Sequence, residues 1–521
     1  MFDLILTGGT VIDGRKSRRY VADVAVRGDR IAAIGNLECA ETSQRFDIRG
    51  KVIAPGFVDV HTHSEGWLLR MPNLWPKTSQ GFTTEVLMPD GISYAPLTPH
   101  TARDWFYYLK GLDGLRLDEY QGWQTYAEFM SLFDRRTAQN TIGQVPYGNV
   151  RTLASGWGPR PVDDFQMLQM QAEIRQGMAA GAVGLSTGLD YPGQCYATTA
   201  ELAEACRPVA EFGGLYITHM RYKVGHLPAL REAVEIGRRS GAKVHISHLK
   251  AHTPQLAEEV LDYVDRVARH EVDFSFDIYP YQPGSTLLNY LLPYEIWDDG
   301  PIAASAKLRS AEMRARFKAG IELRTKLETA HIAWLPSQEN ARHIGRTLAE
   351  FVAEVGRPAE EALTDLLIDE RFAVLLVFND GADEPMHPFL AHDLQMIGSD
   401  GIYQPESHIH PRMFGSAGRM LGPLVRDSKL FSLEEAVYKL SGYPAARFGL
   451  RQRGEIQEGF FADLVVFDAA TVSDRATFRE PHQSTAGIER VFVNGVQIVS
   501  DGRPANLAEW PGRGLKYQSA D

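Results

Sequence analysis

Eight short apolar segments recur through the middle of this 521-residue chain, at 57–61, 83–88, 142–146, 182–186, 214–219, 243–248, 272–279 and 394–399. Helical patterns separate them. "DDFQMLQMQAEIRQGMAAGA" leads into the fourth segment and "PALREAVEIGRRSGA" into the sixth. Strands alternating with helices make a parallel sheet, and a count of eight predicts an α/β chain of the (β/α)8 TIM-type barrel class. Between about 284 and 393 the spacing is too long for one connecting helix, and "AASAKLRSAEMRARFKAG" and "IGRTLAEFVAEVG" read as helices. We therefore expect a helical insertion there, between strands seven and eight, in the position of a lid.

The two chain ends read differently. "LILTGGTVIDG", "ADVAVRGDRIAAIG", "GEIQEGFFADLVVFD" and "GIERVFVNGVQIV" are β-branched runs broken by glycine turns. The expected layout is a small β domain whose first half is 1–55, a barrel over 56–450 carrying the insertion, and the second half of the β domain over 451–521. No short-period repeat or low-complexity tract interrupts this plan.

Charge and cysteine content narrow the function. Fifty-four basic against 66 acidic residues give a net charge of −12, which argues against a nucleic-acid partner, since phosphate contacts need a basic face. Three cysteines, Cys39, Cys195 and Cys206, form no CxxC pair. They imply neither a disulfide framework nor a thiolate zinc cluster. The expected setting is a reducing cytoplasm, with no signal segment and no membrane span.

The sixteen histidines become informative through position. In "GFVDVHTHSEG", His61 and His63 close the first predicted strand. His219 ends "GGLYITH", His248 ends "AKVHISH" 29 residues later, and Asp400 ends "LQMIGSD". Strand C-termini converge on the mouth of a barrel, where catalytic groups sit. A lone strand-end histidine is usually just a satisfied polar residue; five ligand-type residues in register with one predicted barrel point to a metal. Imidazoles and a carboxylate suit Zn²⁺ with a position open to water. Water on such an ion ionises near neutral pH and becomes the nucleophile.

HxH after strand one, single histidines after strands five and six, and an aspartate after strand eight resemble the amidohydrolase superfamily. More narrowly, "GLSTGLDYP", "YITHMR", "ISHLK", "DIYPY", "GSDG", "HPRMFG" and "RGEIQEGFFADLVVFD" resemble the N-acyl-D-amino-acid deacylases, or D-aminoacylases. The likeness covers nearly the whole chain. It implies that His219 and His248 hold a tightly bound metal and that His61 and His63 belong to a second site. It implies one or two divalent ions, zinc by preference, with Asp400 as the catalytic aspartate. A carboxylate beside such a site can take a proton from water and pass it to a leaving amine. The implied activity is hydrolysis of a linear amide, an N-acyl-D-amino acid, by metal-bound hydroxide.

Two departures from the family pattern stand out. Family deacylases read "GNCGIS", with the cysteine sulfur bridging the metals; this chain reads "MPDGIS", placing Asp90 there. A carboxylate can also bridge two cations, although Pro-Asp-Gly is equally a turn signature. Glu85 is the reserve. Other amidohydrolases bridge through a carbamylated lysine after strand four, which "GAVGLSTG" lacks. In "THMRYK", Tyr222 and Lys223 replace an acidic pair, and we expect a solvated loop.

A deacylase of amino acids must hold a free carboxylate. Arg412 can grip one with its planar fork, and Lys250 and Tyr281 also match carboxylate-binding positions of the family. His408 and His410 read as loop residues. Three rival functions remain. "GLSTG" fits the G-x-S-x-G elbow of a serine hydrolase, but "LDYPGQ" follows in place of a helix. A superfamily member could instead open a cyclic amide, imide or amidine. A non-catalytic scaffold would have no need to keep every ligand-type residue.

Overall fold

The computed structural model describes residues 1–519. Eight barrel strands occur in the expected order: β1 Phe57–Asp59, β2 Phe82–Leu87, β3 Asn140–Gly143 (continued by Val145–Pro146), β4 Gly184–Gly188, β5 Leu215–His219, β6 Lys243–Ile246, β7 Phe274–Asp277 and β8 Gln395–Met396. Each pairs in parallel with the next. The barrel closes between its last and first strands: Val60 N donates to Ile397 O at 3.3 Å and Asp400 N to His61 O at 2.8 Å. Thr62–His63 then pairs in parallel with Gly401–Ile402. This closure decides function, because it sets Asp400 beside the two histidines that follow β1.

Local sequence explains the crossover helices. Helix α1, Asp164–Ala180, starts at Asp163, whose carboxylate accepts from Gln166 N in a reciprocal capping box. Helix α2, His226–Ser240, buries Ala229, Leu230, Ala233, Val234, Ile236 and Gly237, the three-and-four spacing of an amphipathic helix. It stops at Gly241, which adopts φ 81°, a left-handed conformation that glycine takes without a Cβ penalty. Inside the barrel, Val58, Val86, Ile142, Val183, Ile217 and Met396 from different strands pack into one apolar cluster.

The insertion between β7 and β8 carries the expected helices, Pro301–Lys307, Ala311–Arg324, Leu348–Val355 and Ala359–Asp369. It is not wholly helical. Ser285–Leu287, Leu375–Phe378 and Ala330–Trp334 form a small antiparallel sheet, with Leu375–Phe378 in the centre. Such short apolar runs inside a helix-rich stretch cannot be told from helix by periodicity.

Both chain ends meet in one nine-stranded sheet. Val52–Pro55 pairs antiparallel with Leu464–Phe467, and Leu4, Leu6, Val24, Ile31, Ile53, Leu464, Val466 and Phe492 share its core. The final described residues leave this sheet: Leu515 N donates to Thr141 O at 2.7 Å, so the tail runs along β3. Among the described residues, no helix is long and apolar enough to cross a membrane.

Candidate active site

The residues expected at the strand ends come together at the barrel mouth. His61, His63 and Asp90 offer ligand atoms all within 4.8 Å of one another, and so do Asp90, His219 and His248. Asp90 belongs to both groups. Its Oδ1 lies 3.5 Å from His61 Nε2, and its Oδ2 lies 3.6 Å from His63 Nε2. His219 Nδ1 stands 3.1 Å from His248 Nε2. Asp400 Oδ1 is 3.4 Å from His63 Nε2 and 3.7 Å from His61 Nε2.

The backbone is bent to allow this. Met88, Asp90, His248 and Asp400 take φ of 65°, 58°, 39° and 48°, a region that side-chain-bearing residues enter at a cost of about 1–3 kcal/mol each. Positive φ at Asp90 turns its carboxylate inward from the loop after β2. Gln194 Nε2 holds that loop by donating to Asp90 O at 2.8 Å.

A cation fits these residues. Both ring nitrogens of His61 and Oδ1 of Asp90 are buried without a hydrogen-bond partner, a combination that native interiors avoid unless something else satisfies them. Burial works against the charged form of His61, yet Asp90 and Asp277 push its imidazole well above its ordinary value. Burial likewise opposes ionisation of Asp90, and His61 and His63 hold it well below the usual carboxylate range. For Asp400, burial is again overcome, by the Arg412 guanidinium first and then by His63 and His61, so its carboxyl also stays well below that range.

Lys250 lines the same cavity of about 870 Å³. Its Nζ donates to Tyr279 Oη and to Gln282 O, both at 2.7 Å. Burial, helped by Arg412, pushes its ammonium down to about 7. Arg412 is buried, with Nη1 2.8 Å from Asp400 Oδ2. Tyr281 points elsewhere, its hydroxyl donating to Asp474 Oδ2 at 3.0 Å. Ile92, Tyr108, Leu112, Leu287, Leu291 and Ile402 supply an apolar wall.

The remaining candidates fall outside the cluster. Glu85 is buried against Gln139 Nε2 at 2.6 Å, away from the histidines grouped with Asp90. His410 Nε2 donates to Pro283 O at 3.0 Å. His408 lies on a separate surface hollow with Tyr403 and His482. Ser186 donates to Met88 O at 2.7 Å and accepts from Gly91 N at 3.1 Å; its hydroxyl braces the Asp90 loop and has no histidine base. The solvated loop expected at "THMRYK" is corrected. Tyr222 packs its ring 5.0 Å from that of His219 and 5.5 Å from that of His248, because its hydroxyl is drawn in to Ser247 O at 2.9 Å. The Lys223 ammonium sits over the rings of Tyr290 and Tyr294.

Two supporting carboxylates were not singled out from sequence. Asp277 Oδ1 accepts from His248 N at 2.9 Å, while Oδ2 faces His245 Nε2 at 3.0 Å and His61 Nδ1 at 3.6 Å. Asp190 Oδ2 faces His219 Nε2 at 3.4 Å. Their signal was present: each lies inside a motif already notable, "DIYPY" and "GLSTGLDYP".

A parallel barrel whose mouth gathers four histidines around one carboxylate defines a TIM-type barrel built to hold metal. The amidohydrolase family model matches residues 44–499, and the chain belongs to the amidohydrolase family. A D-aminoacylase from Alcaligenes xylosoxydans xylosoxydans is 38% identical over 504 residues, covering 95% of this chain and 94% of its own. An N-acyl-D-aspartate deacylase from the same organism is 34% identical over 519 residues, covering 98% and 95%. Among solved structures, a D-aminoacylase superposes with TM-score 0.81 at 34% identity over 99% of this chain and 100% of that one. An N-acyl-D-glutamate deacylase from Bordetella bronchiseptica, complexed with zinc and a phosphonate mimic of the tetrahedral intermediate, gives TM-score 0.83 at 32% identity over 99% of both chains.

Proposed function

We propose that this protein is a metal-dependent deacylase of N-acyl-D-amino acids, using one or two divalent ions, zinc by preference. The observation that carries the reading is Asp90, whose two carboxylate oxygens face His61 and His63 while it also groups with His219 and His248. In this reading His61 and His63 would hold one ion and His219 and His248 the other, and Asp90, which belongs to both groups, would serve both in place of the family cysteine. A bound ion supplies Lewis acidity at the scissile carbonyl and acidifies water.

The chain's own groups then divide the work. Asp400, kept ionised beside Arg412, accepts a proton from the attacking water and delivers it to the amide nitrogen as the C–N bond breaks. The products are a free carboxylate from the acyl group and a free D-amino acid. Lys250 faces the cavity, and an arriving carboxylate favours its charged form, so it is the first partner for the substrate's anionic end. Arg412 keeps a buried Nε without a hydrogen-bond partner with which it could join, whereas Tyr281 would first have to leave Asp474. The apolar wall suits an apolar side chain or acyl group and excludes water. We place the protein in the cytoplasm; its three cysteines are all unpaired.

Metal analysis of the purified protein, combined with a screen of N-acetyl-D- and N-acetyl-L-amino acids, tests the reading. Bound zinc with turnover of D substrates alone is expected. Full turnover in metal-free protein, or equal turnover of L substrates, overturns it.

A further inference from the structure

One network beside the metal-ligand cluster is not used by the chemistry above. Asp190 follows β4 and is 3% exposed. Four groups converge on its carboxylate. Tyr294 Oη donates to Oδ1 at 2.5 Å, while Tyr290 Oη, Lys223 N and His219 Nε2 approach Oδ2 at 3.1, 3.2 and 3.4 Å. Tyr290 and Tyr294 are the only tyrosines of the 284–393 insertion. The Lys223 ammonium lies 4.5 and 4.6 Å from the centres of their rings, which fixes both rings over the barrel mouth.

The arrangement assigns the two nitrogens of His219 different tasks. Nδ1 faces His248 Nε2 at 3.1 Å and Tyr191 Oη at 3.3 Å, on the side where the ligand atoms gather. Nε2 faces a carboxylate. A neutral imidazole carries its proton on one nitrogen, and the partner of that proton decides which nitrogen keeps a lone pair for a metal. Every group that approaches Asp190 at hydrogen-bonding distance is an N–H or O–H donor or an imidazole nitrogen, so its carboxylate oxygens are placed to accept from all of them.

We propose that Asp190 is a positioning residue for the metal centre: it accepts a hydrogen bond from His219 Nε2–H, so that the proton stays on Nε2 and the lone pair of Nδ1 is left for the ion, and it is itself held by Tyr290 and Tyr294 of the insertion. The insertion thereby reaches the metal site through one carboxylate. A loop-stabilising network alone would not need to end on a ligand histidine. This inference rests on the deacylase reading of the site, specifically on His219 as a metal ligand.

Zinc titration of metal-stripped full-length protein against a chromophoric chelator, with the rate of zinc loss to EDTA, tests it. Asp190→Asn keeps the shape but removes the charge, and its zinc affinity should fall about 10–100-fold, the loss typical when the partner of a ligating histidine is altered. Tyr290→Phe/Tyr294→Phe keeps both rings and removes only the hydroxyls. It should weaken zinc by about threefold or more and speed its loss. A purely structural network would lower the melting temperature and leave zinc affinity unchanged. Parental affinity in folded Asp190→Asn overturns the proposal; should that variant fail to fold, parental affinity in the double phenylalanine variant overturns it equally. A parent protein that binds no zinc overturns the reading of the whole site, and this inference with it, before any variant is compared.

Discussion

Lys77 and Asp59 form an ion pair beside His61, and both side chains are 0% exposed. Lys77 Nζ also bonds Ser399 Oγ. The other Asp59 oxygen, Oδ1, accepts from Ser399 N at 2.8 Å and His61 N at 3.3 Å, so the pair ties the end of β1 to the end of β8. Lys77→Met keeps the volume and leaves a carboxylate buried without its cation. Breaking such a pair from one side costs about 3–5 kcal/mol. With an unfolding entropy of about 2.1 cal/mol/K per residue, 521 residues give about 1.1 kcal/mol/K, so the melting temperature should fall by about 3–5 °C. Asp59→Asn/Lys77→Met restores neutrality and retains an oxygen for the two backbone donors; it should recover about 2 kcal/mol relative to Lys77→Met. Calorimetry and denaturant midpoints on the parent, both singles and the double give the cycle. Zinc content should follow the same order, because His61 hangs from Asp59. A double variant whose loss equals or exceeds the sum of the singles refutes the reasoning.

Further outcomes follow from the same geometry. Asp400→Asn should reduce kcat by at least about 10²-fold while zinc content stays at the parental level; parental turnover refutes its role in proton transfer. A zinc chelator should abolish hydrolysis and a serine-directed phosphonate should leave it intact, since Ser186 is bonded to Met88 O; inhibition by the phosphonate reverses that assignment. Lys439 is buried with its amine on His392 O, and burial pushes its ammonium from 10.5 down to about 8. The folded protein therefore binds fewer protons than the unfolded chain between those values, and stability rises with pH across that window. Relative to Lys439→Met, the parent should gain up to about 3 kcal/mol from neutral pH to pH 10.5. A flat difference in denaturant midpoints contradicts this.

Much of the site was legible before any coordinates. His61, His63, His219, His248 and Asp400 were visible as strand-end residues because strand and helix periods are local, and a barrel sends every strand end to one mouth. Asp90 was visible as a departure from the family pattern, and its inward turn required the positive φ that Pro-Asp-Gly permits. Tyr222 was not legible. Its sequence neighbours describe a polar loop, and its place against His219 and His248 depends on Ser247 O, just beyond the next strand.

Sequence alone therefore determined the eight-stranded α/β plan, the pairing of the two chain ends and the residue types that gather at the mouth, since each follows from hydrophobic period and residue chemistry over a few neighbouring positions. Tertiary structure alone decided the partners. It gave Arg412 to Asp400, Tyr281 to Asp474, and Asp190 to His219 with two tyrosines from a distant insertion. The physical reason is that a buried polar group must be satisfied by whatever the closed fold brings within about 3 Å, and that neighbour is set by chain closure and packing across hundreds of residues.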